Sequence, residues 1–195
     1  MRRAEMKKPY KNMPNIYFED FYLRTIKKSD AKDMFDYGTD KLVTQFLNWG
    51  PYTQLKEAKK TIKNIFFPRL KDGLPIGYAI IDAQTSKMIG TIDFHSKIRS
   101  EHGAEIGFAL HRSYWNKGMM TEALSAMIRI GFEHLKYDFI RIKHLKINVA
   151  SQRVIEKNGF KFIRQEPFVL EKPNGMIKGE LLTYELSKED YYGNK

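Results

Sequence analysis

Glu105 stands in the stretch "GAEIGFAL", where two sets of residues alternate. A strand sends successive side chains to opposite faces, so Ala104, Ile106, Phe108 and Leu110 point one way and Glu105, Gly107 and Ala109 the other. That second face is bare, and small residues inside a strand often mark the close approach of another backbone or of a ligand. A tightly packed helix is the other reading. The strand runs into "YWNKGMMTEA", which puts Gly118 directly before a helical pattern. The first turn of a helix leaves N–H groups unpaired and carries a partial positive charge, which suits an anion; an ordinary tight turn is again the alternative. A strand edge followed by an anion hole suits a ligand with an extended amide arm and a phosphorylated end. Glu105, on the bare face, is placed either to take a proton from whatever reacts there or simply to pair with a lysine.

The chain has no cysteine, which excludes disulfides, thiolate metal ligands and a thiol nucleophile. Its five histidines, His95, His102, His111, His134 and His144, lack metal-ligand spacing, so no metal is expected. His111 follows the bare strand and could assist proton movement or lie in solvent.

These residues need a scaffold. A chain of 195 residues, 42% hydrophobic and 13% aromatic, suits one folded domain, expected over 16–195 behind a basic arm over 1–15 that carries Arg2, Arg3, Lys7, Lys8 and Lys11. The net charge of +11 bears on partners rather than on fold. No apolar run resembles a secretory signal or a membrane span, so a cytoplasmic protein that does not bind membranes is expected.

The pattern predicts a strand over 18–26, a short helix over 30–38, and an amphipathic helix after Pro51 with Leu55, Ala58, Ile62 and Ile65 on one side, bounded by Pro68. Two strands joined by the turn Gln84 to Lys87 follow, and "GAEIGFAL" makes an antiparallel meander of three. A helix over 121–135, the strand "FIRIKH", a helix over 148–157 closed by Asn158-Gly159, and the strand "FKFIRQ" come next. Pro173-Asn174-Gly175 predicts a hairpin near the end.

"AEIGFALHRSYWNKGMMTEAL" and "NVASQRVIEKNGF" together resemble the Gcn5-related N-acetyltransferase (GNAT) superfamily, above all its branch that acetylates the N-terminal amines of ribosomal proteins. The likeness extends from about 18 to 186. It implies an α/β (α+β) fold: a twisted, mixed, mostly antiparallel sheet with helices on both faces, splayed where the fourth and fifth strands part to admit acetyl-CoA. It implies that the backbone of Phe108, Ala109 and Leu110 pairs with the pantetheine amides. The loop Asn116, Lys117, Gly118, Met119, Met120 and Thr121 would wrap the pyrophosphate, although only the central glycine of the superfamily pattern is kept. Asn148 and Lys157 match its second cofactor segment. Where many members carry a tyrosine that protonates the departing thiolate, this chain has Ile155, so the role falls to Ser151, unless that residue is a plain helix-start serine. Trp49 and Tyr52 match a region that shapes the acceptor pocket; aromatic core packing is the alternative.

The expected reaction is acetyl transfer from acetyl-CoA to a primary amine, directly, with Glu105 as base and without a metal. An α-amine, with a pKa of about 8, needs less help than a lysine near 10.4. The positive charge favours a protein or peptide N-terminus over a soluble polycation, with docking on a ribosome or RNA as an accessory. Two other classes stay open: a basic nucleic-acid-binding module and an inactive acyl-CoA-binding regulator. Monomer and homodimer are both compatible.

Overall fold

The computed structural model describes residues 13–98, 101–172 and 175–193. Most of the expected basic arm, and the Pro173-Asn174 part of the expected hairpin turn, lie outside them. Met13 and Pro14, expected within that arm, are tied to the fold. Met13 is 5% exposed, its N–H donates to Thr25 Oγ1 at 2.8 Å, and the carbonyl of Pro14 accepts the Tyr78 hydroxyl at 2.8 Å.

An eight-stranded sheet runs in the order β1-β2-β3-β4-β5-β6-β8-β7. Its strands are β1 (Ile16–Tyr17), β2 (Phe21–Thr25), β3 (Tyr78–Asp82), β4 (Met88–Ile98), β5 (Gly103–Leu110), β6 (Phe139–Leu145), β7 (Lys161–Lys172) and β8 (Gly175–Ser187). The strand expected over 18–26 is broken at Glu19-Asp20, where Phe18 N–H meets the Phe21 carbonyl at 2.9 Å and the chain turns back. All pairings are antiparallel except β5 with β6, so those two strands need the crossover helix α4 (Met119–Arg129) between them. They are the expected fourth and fifth strands, renumbered by the extra β1. Their register joins Gly103 to Phe139, Ala104 to Ile140 and Glu105 to Arg141, and goes no further. Beyond Glu105 the two strands part.

Helices cover both faces. α4 begins at Met119, ahead of the expected Thr121, because Gly118 supplies its N-cap, and it ends in a wide π turn over Ile130–His134. With α5 (Val149–Lys157) it buries Leu124, Met127 and Ile155 against Phe94, Ile106 and Ile140. On the opposite face α1 (Ala31–Gly38) and α3 (Leu55–Thr61) bury Met34, Tyr37, Ala58 and Ile62 against Ala79 and Ile81. Leu55, expected on the apolar stripe of α3, is exposed. The helical run passes through a π turn over Ile62–Phe66 into a 3-10 turn over Phe67–Leu70, so Pro68 sits near the start of the last turn instead of lying outside it. Two short helices escape the hydrophobic pattern. α2 (Lys41–Thr44) is capped by Asp40, whose Oδ1 accepts Leu42 N–H at 2.9 Å, and α6 (Lys188–Gly193) follows β8.

A buried ion pair fixes the entry to α1. Asp30, 4% exposed, accepts two guanidinium bonds from Arg24 at 2.8 and 2.7 Å and the N–H of Lys27 at 2.7 Å. Asp30→Ala removes all three hydrogen bonds and is expected to cost about 2 kcal/mol, since Arg24 retains some solvent. The melting temperature should fall by roughly 4–8 °C for a chain of this length. A melt that matches the wild type would show that water replaces the pair at no cost.

Candidate active site

Where β6 leaves β5, one edge of β5 has no strand partner. Along a strand, successive residues present their N–H and C=O to alternate sides. The carbonyl of Ala109 lies against Gly90 of β4, where any Cβ would collide with it. Ala109 is therefore turned toward β4, and of the three expected edge residues only Phe108 and Leu110 aim backbone groups into the gap. The carbonyl of Leu110 is already taken by the Trp115 indole N–H at 2.7 Å. That bond also pins the start of the loop to the strand edge.

The loop turns through two left-handed residues, Asn116 at φ +60° and Gly118 at φ +81°. Asparagine is among the few side chains that adopt this region readily. A Cβ on Gly118 would meet nothing within 4 Å, so the glycine answers a backbone demand and not a crowded site. Because Gly118 has no capping side chain, the first N–H groups of α4 are left for another acceptor. Met119 and Met120, each 6% exposed, pack into the core beneath the loop. α5 is held beside it: Asn158 Nδ2 donates to the Thr121 carbonyl at 3.3 Å and to that of Val154 at 2.9 Å. Asn148 caps α5 by accepting Ser151 N–H at 3.2 Å.

These pieces enclose a cleft of about 620 Å³. It unites the strand residues Phe108, Ala109 and Leu110, the loop residues Asn116, Gly118, Met119, Met120 and Thr121, and Asn148, Ser151 and Lys157 of the α5 segment. Lys117 is not on its wall; its ammonium sits 5.2 Å from the centre of the Tyr114 ring. Trp49 and Tyr52 also stand outside it. Their rings stack at 5.4 Å, and Tyr52 is buried with its hydroxyl on Thr61 Oγ1 at 2.8 Å, which is core packing. Sequence reasoning missed Arg153, one turn before Lys157 on the same helix side, and the segment around α2 that contributes Leu42, Phe46 and Leu47. The i, i+4 spacing of Arg153 and Lys157 was a usable signal. The α2 segment gave none, since its place depends on Lys172 of β7, whose ammonium donates to the carbonyls of Thr44 at 2.6 Å and Leu47 at 2.9 Å.

Glu105 lies at the split but off the cleft wall, 13% exposed. Its Oε1 is 2.5 Å from Lys143 Nζ, and its Oε2 is 3.9 Å from His95 Nε2. The expected lysine pairing is present, and a histidine accompanies it. Behind His95, Asp93 accepts from Arg69 Nε at 3.0 Å. Burial raises the Asp93 carboxyl above its ordinary value, against the pull of Arg69, and burial lowers the His95 imidazole below its own. The result is a row of polar groups, Lys143, Glu105, His95, Asp93 and Arg69, leading inward from the split. The bare face of β5 is covered in part by His95, whose ring comes within 3.0 Å of where a Gly107 Cβ would stand.

Several features fit a long, phosphorylated thioester. The cleft falls in the size range of small-molecule sites, one wall offers unpaired strand backbone, and another offers a helix N-terminus with Lys157 and Arg153 nearby. Among the described residues no group of three or more His, Cys, Asp or Glu could hold a metal ion, and no helix is long and apolar enough to cross a membrane.

Comparison with known proteins agrees with this geometry. Residues 20–161 match the acetyltransferase (GNAT) domain family. The uncharacterized N-acetyltransferase p20 of Bacillus licheniformis is 30% identical over 184 residues, covering 93% of this chain and all of that protein. Among solved structures, a ribosomal L7/L12 α-N-protein acetyltransferase in complex with coenzyme A superposes with a TM-score of 0.77 at 20% identity, over 91% of this chain and 99% of the other. A ribosomal-protein-S5-alanine acetyltransferase from Vibrio fischeri gives 0.74 at 21%, over 92% and 99%. The split sheet, the left-handed loop ahead of α4 and the family match over most of the chain lead to one statement: this chain belongs to the GNAT acetyltransferase family and is an N-acetyltransferase.

Proposed function

We propose that the chain transfers acetyl from acetyl-CoA to the primary amine of a polypeptide N-terminus. The observation that carries this reading is the parting of β5 and β6 immediately after Glu105, which opens the cofactor cleft beside a carboxylate. Acetyl-CoA supplies an activated thioester carbonyl. Phe108 and Leu110 would hold its amide arm by their edge groups, and the N–H groups from Met119 to Thr121, with Lys157 and Arg153, would hold its phosphates. Among the described residues the Ser151 hydroxyl has no protein partner, and it lines the cleft, so it is free to pass a proton to the departing sulfur. Glu105 and its neighbours would accept the proton of the amine.

A polypeptide acceptor is supported by charge. Lys56, Lys59, Lys60 and Lys63 are all exposed along α3 and the π turn after it. The one acid among them, Glu57, is occupied by the N–H groups of Thr53 and Gln54 at 2.6 and 3.0 Å. Such a face attracts acidic proteins or a ribosome and repels free polyamines. The two solved ribosomal-protein acetyltransferases compared above are in keeping with this choice.

The test is coenzyme A release with a panel of peptides, amino acids, polyamines and ribosomes at two salt concentrations. N-terminal amines should lead, and added salt should narrow their advantage. Spermidine as the best acceptor would overturn the electrostatic argument. No release with any amine, alongside tight acetyl-CoA binding, would favour an acyl-CoA-binding regulator.

A further inference from the structure

We propose that His95, and not Glu105, is the group that takes the proton from the acceptor amine, with Glu105 as the neighbouring carboxylate that balances its charge. This rests on the acetyl-transfer reading above.

Four observations carry the assignment. First, the β4–β5 register jumps between Phe94 and Ser96, so that Phe94 faces Ile106, Ser96 faces Glu105, and His95 is the extra residue between them. Such a bulge re-aims a side chain that regular pairing would fix elsewhere. Second, its ring lies over Gly107, where a side chain would crowd it, and Gly107 precedes the free edge at Phe108. Third, Glu105 is a poor immediate acceptor. Its Oε1 is held by Lys143 at 2.5 Å, so a proton arriving there displaces a short ion pair. Fourth, His95 Nδ1 is engaged with Ser96 Oγ at 2.8 Å, whereas Nε2 stands 3.9 Å from Glu105, too far for a hydrogen bond. Among the described residues Nε2 therefore has no hydrogen-bonding partner, and it lies beside a carboxylate that would stabilise the imidazolium.

The protons balance. The acceptor ammonium gives one proton to His95 Nε2 and becomes a neutral amine. Its nitrogen forms the C–N bond to the acetyl carbon as the C–S bond breaks, and the second proton leaves the nitrogen for the sulfur by way of Ser151. The imidazolium then releases its proton to solvent. The charged groups facing the ring are Asp93 on its own strand, Arg69 from the turn after α3, Glu105 on β5 and Lys143 on β6. Burial and the two cations lower its pKa while the two carboxylates raise it, and burial is the largest effect. A neutral imidazole at pH 7 follows, ready to accept. The rate should accordingly fall only as pH drops below the ordinary histidine range.

The experiment uses the full chain, acetyl-CoA and the best peptide acceptor of the panel. His95→Ala should lose about 100-fold in kcat with an unchanged KM for acetyl-CoA, lose the acid limb of the pH profile, and regain roughly tenfold in added imidazole. Turnover within threefold of wild type, or a loss that imidazole does not relieve and that leaves the acid limb in place, would overturn the assignment. An NMR titration of the His95 ring tests the pairing without turnover: Lys143→Ala should raise its pKa and Glu105→Gln should lower it. A ring indifferent to both would also overturn it. Failure of the wild type on every acceptor would count instead against the acetyl-transfer reading, and the titration would still decide the placement of His95.

Discussion

Gly118→Asp should weaken acetyl-CoA binding at least 100-fold while leaving the protein folded. Two independent effects combine. An aspartate lets the unliganded loop relax away from φ +81°, so binding must re-form that conformation at about 1–2 kcal/mol. Its carboxylate also stands at the helix N-terminus, where the diphosphate should bind, and replaces attraction by repulsion. Together these reach about 2.7 kcal/mol, which is roughly two decades in Kd. Unfolding cannot account for the loss, because the site is open around a Cβ and aspartate is a favourable N-cap residue. Gly118→Asn separates the two effects, since asparagine tolerates the left-handed conformation and brings no charge. It should keep most of the affinity. Calorimetry with acetyl-CoA reads both variants, and wild-type affinity in Gly118→Asp would remove the loop from the phosphate site.

Glu105→Gln should show the opposite profile, with kcat lower by about 100-fold and acetyl-CoA affinity unchanged. A proton acceptor contributes about 10²–10⁴-fold to turnover, and the carboxylate that offsets the charge of a histidine base shares in that contribution. The substitution keeps the shape but strips the counter-ion from Lys143, leaving an ammonium next to His95 in a site only 13% exposed on the Glu105 side chain. That ammonium opposes an imidazolium, so the lesion falls on proton transfer whether the carboxylate or the imidazole receives the proton. The cofactor is insulated because Glu105 is not on the cleft wall. Steady-state kinetics with the peptide acceptor, paired with calorimetry, would decide. Turnover within fivefold of wild type would leave the split without a functional carboxylate.

Much of the scaffold was legible from local pattern. The meander of β3, β4 and β5, the amphipathic α4 and α5, and the left-handed stop at Gly159 each follow from spacing within one element. α2 was not legible, because four residues hold too few turns for a periodic signal and their position rests on Lys172, far along the chain. The site divides in the same way. The loop residues Asn116 and Gly118 to Thr121 and the α5 residues Asn148, Ser151 and Lys157 meet in one cleft, while half-buried Trp49, drawn from the likeness alone, stacks on buried Tyr52 beside α3.

By itself, the sequence determined what chemistry was available: no thiol, a carboxylate on the bare face of a strand, and a glycine that lets a helix begin with its N–H groups uncovered. Those are properties of residue type and short spacing, which the chain carries into any fold. Tertiary structure decided who stands next to whom. That Ala109 turns its carbonyl toward β4 while Phe108 faces the gap depends on strand pairing, and that His95 reaches Gly107 and Glu105 depends on one unpaired residue in β4. A shift of one residue in register sends every side chain of a strand to the other face, and the alternation in β4 alone does not mark where its pairing with β5 skips. Lys143 comes to Glu105 only because α4 carries the chain across to lay β6 parallel to β5 for three residues before the two strands separate.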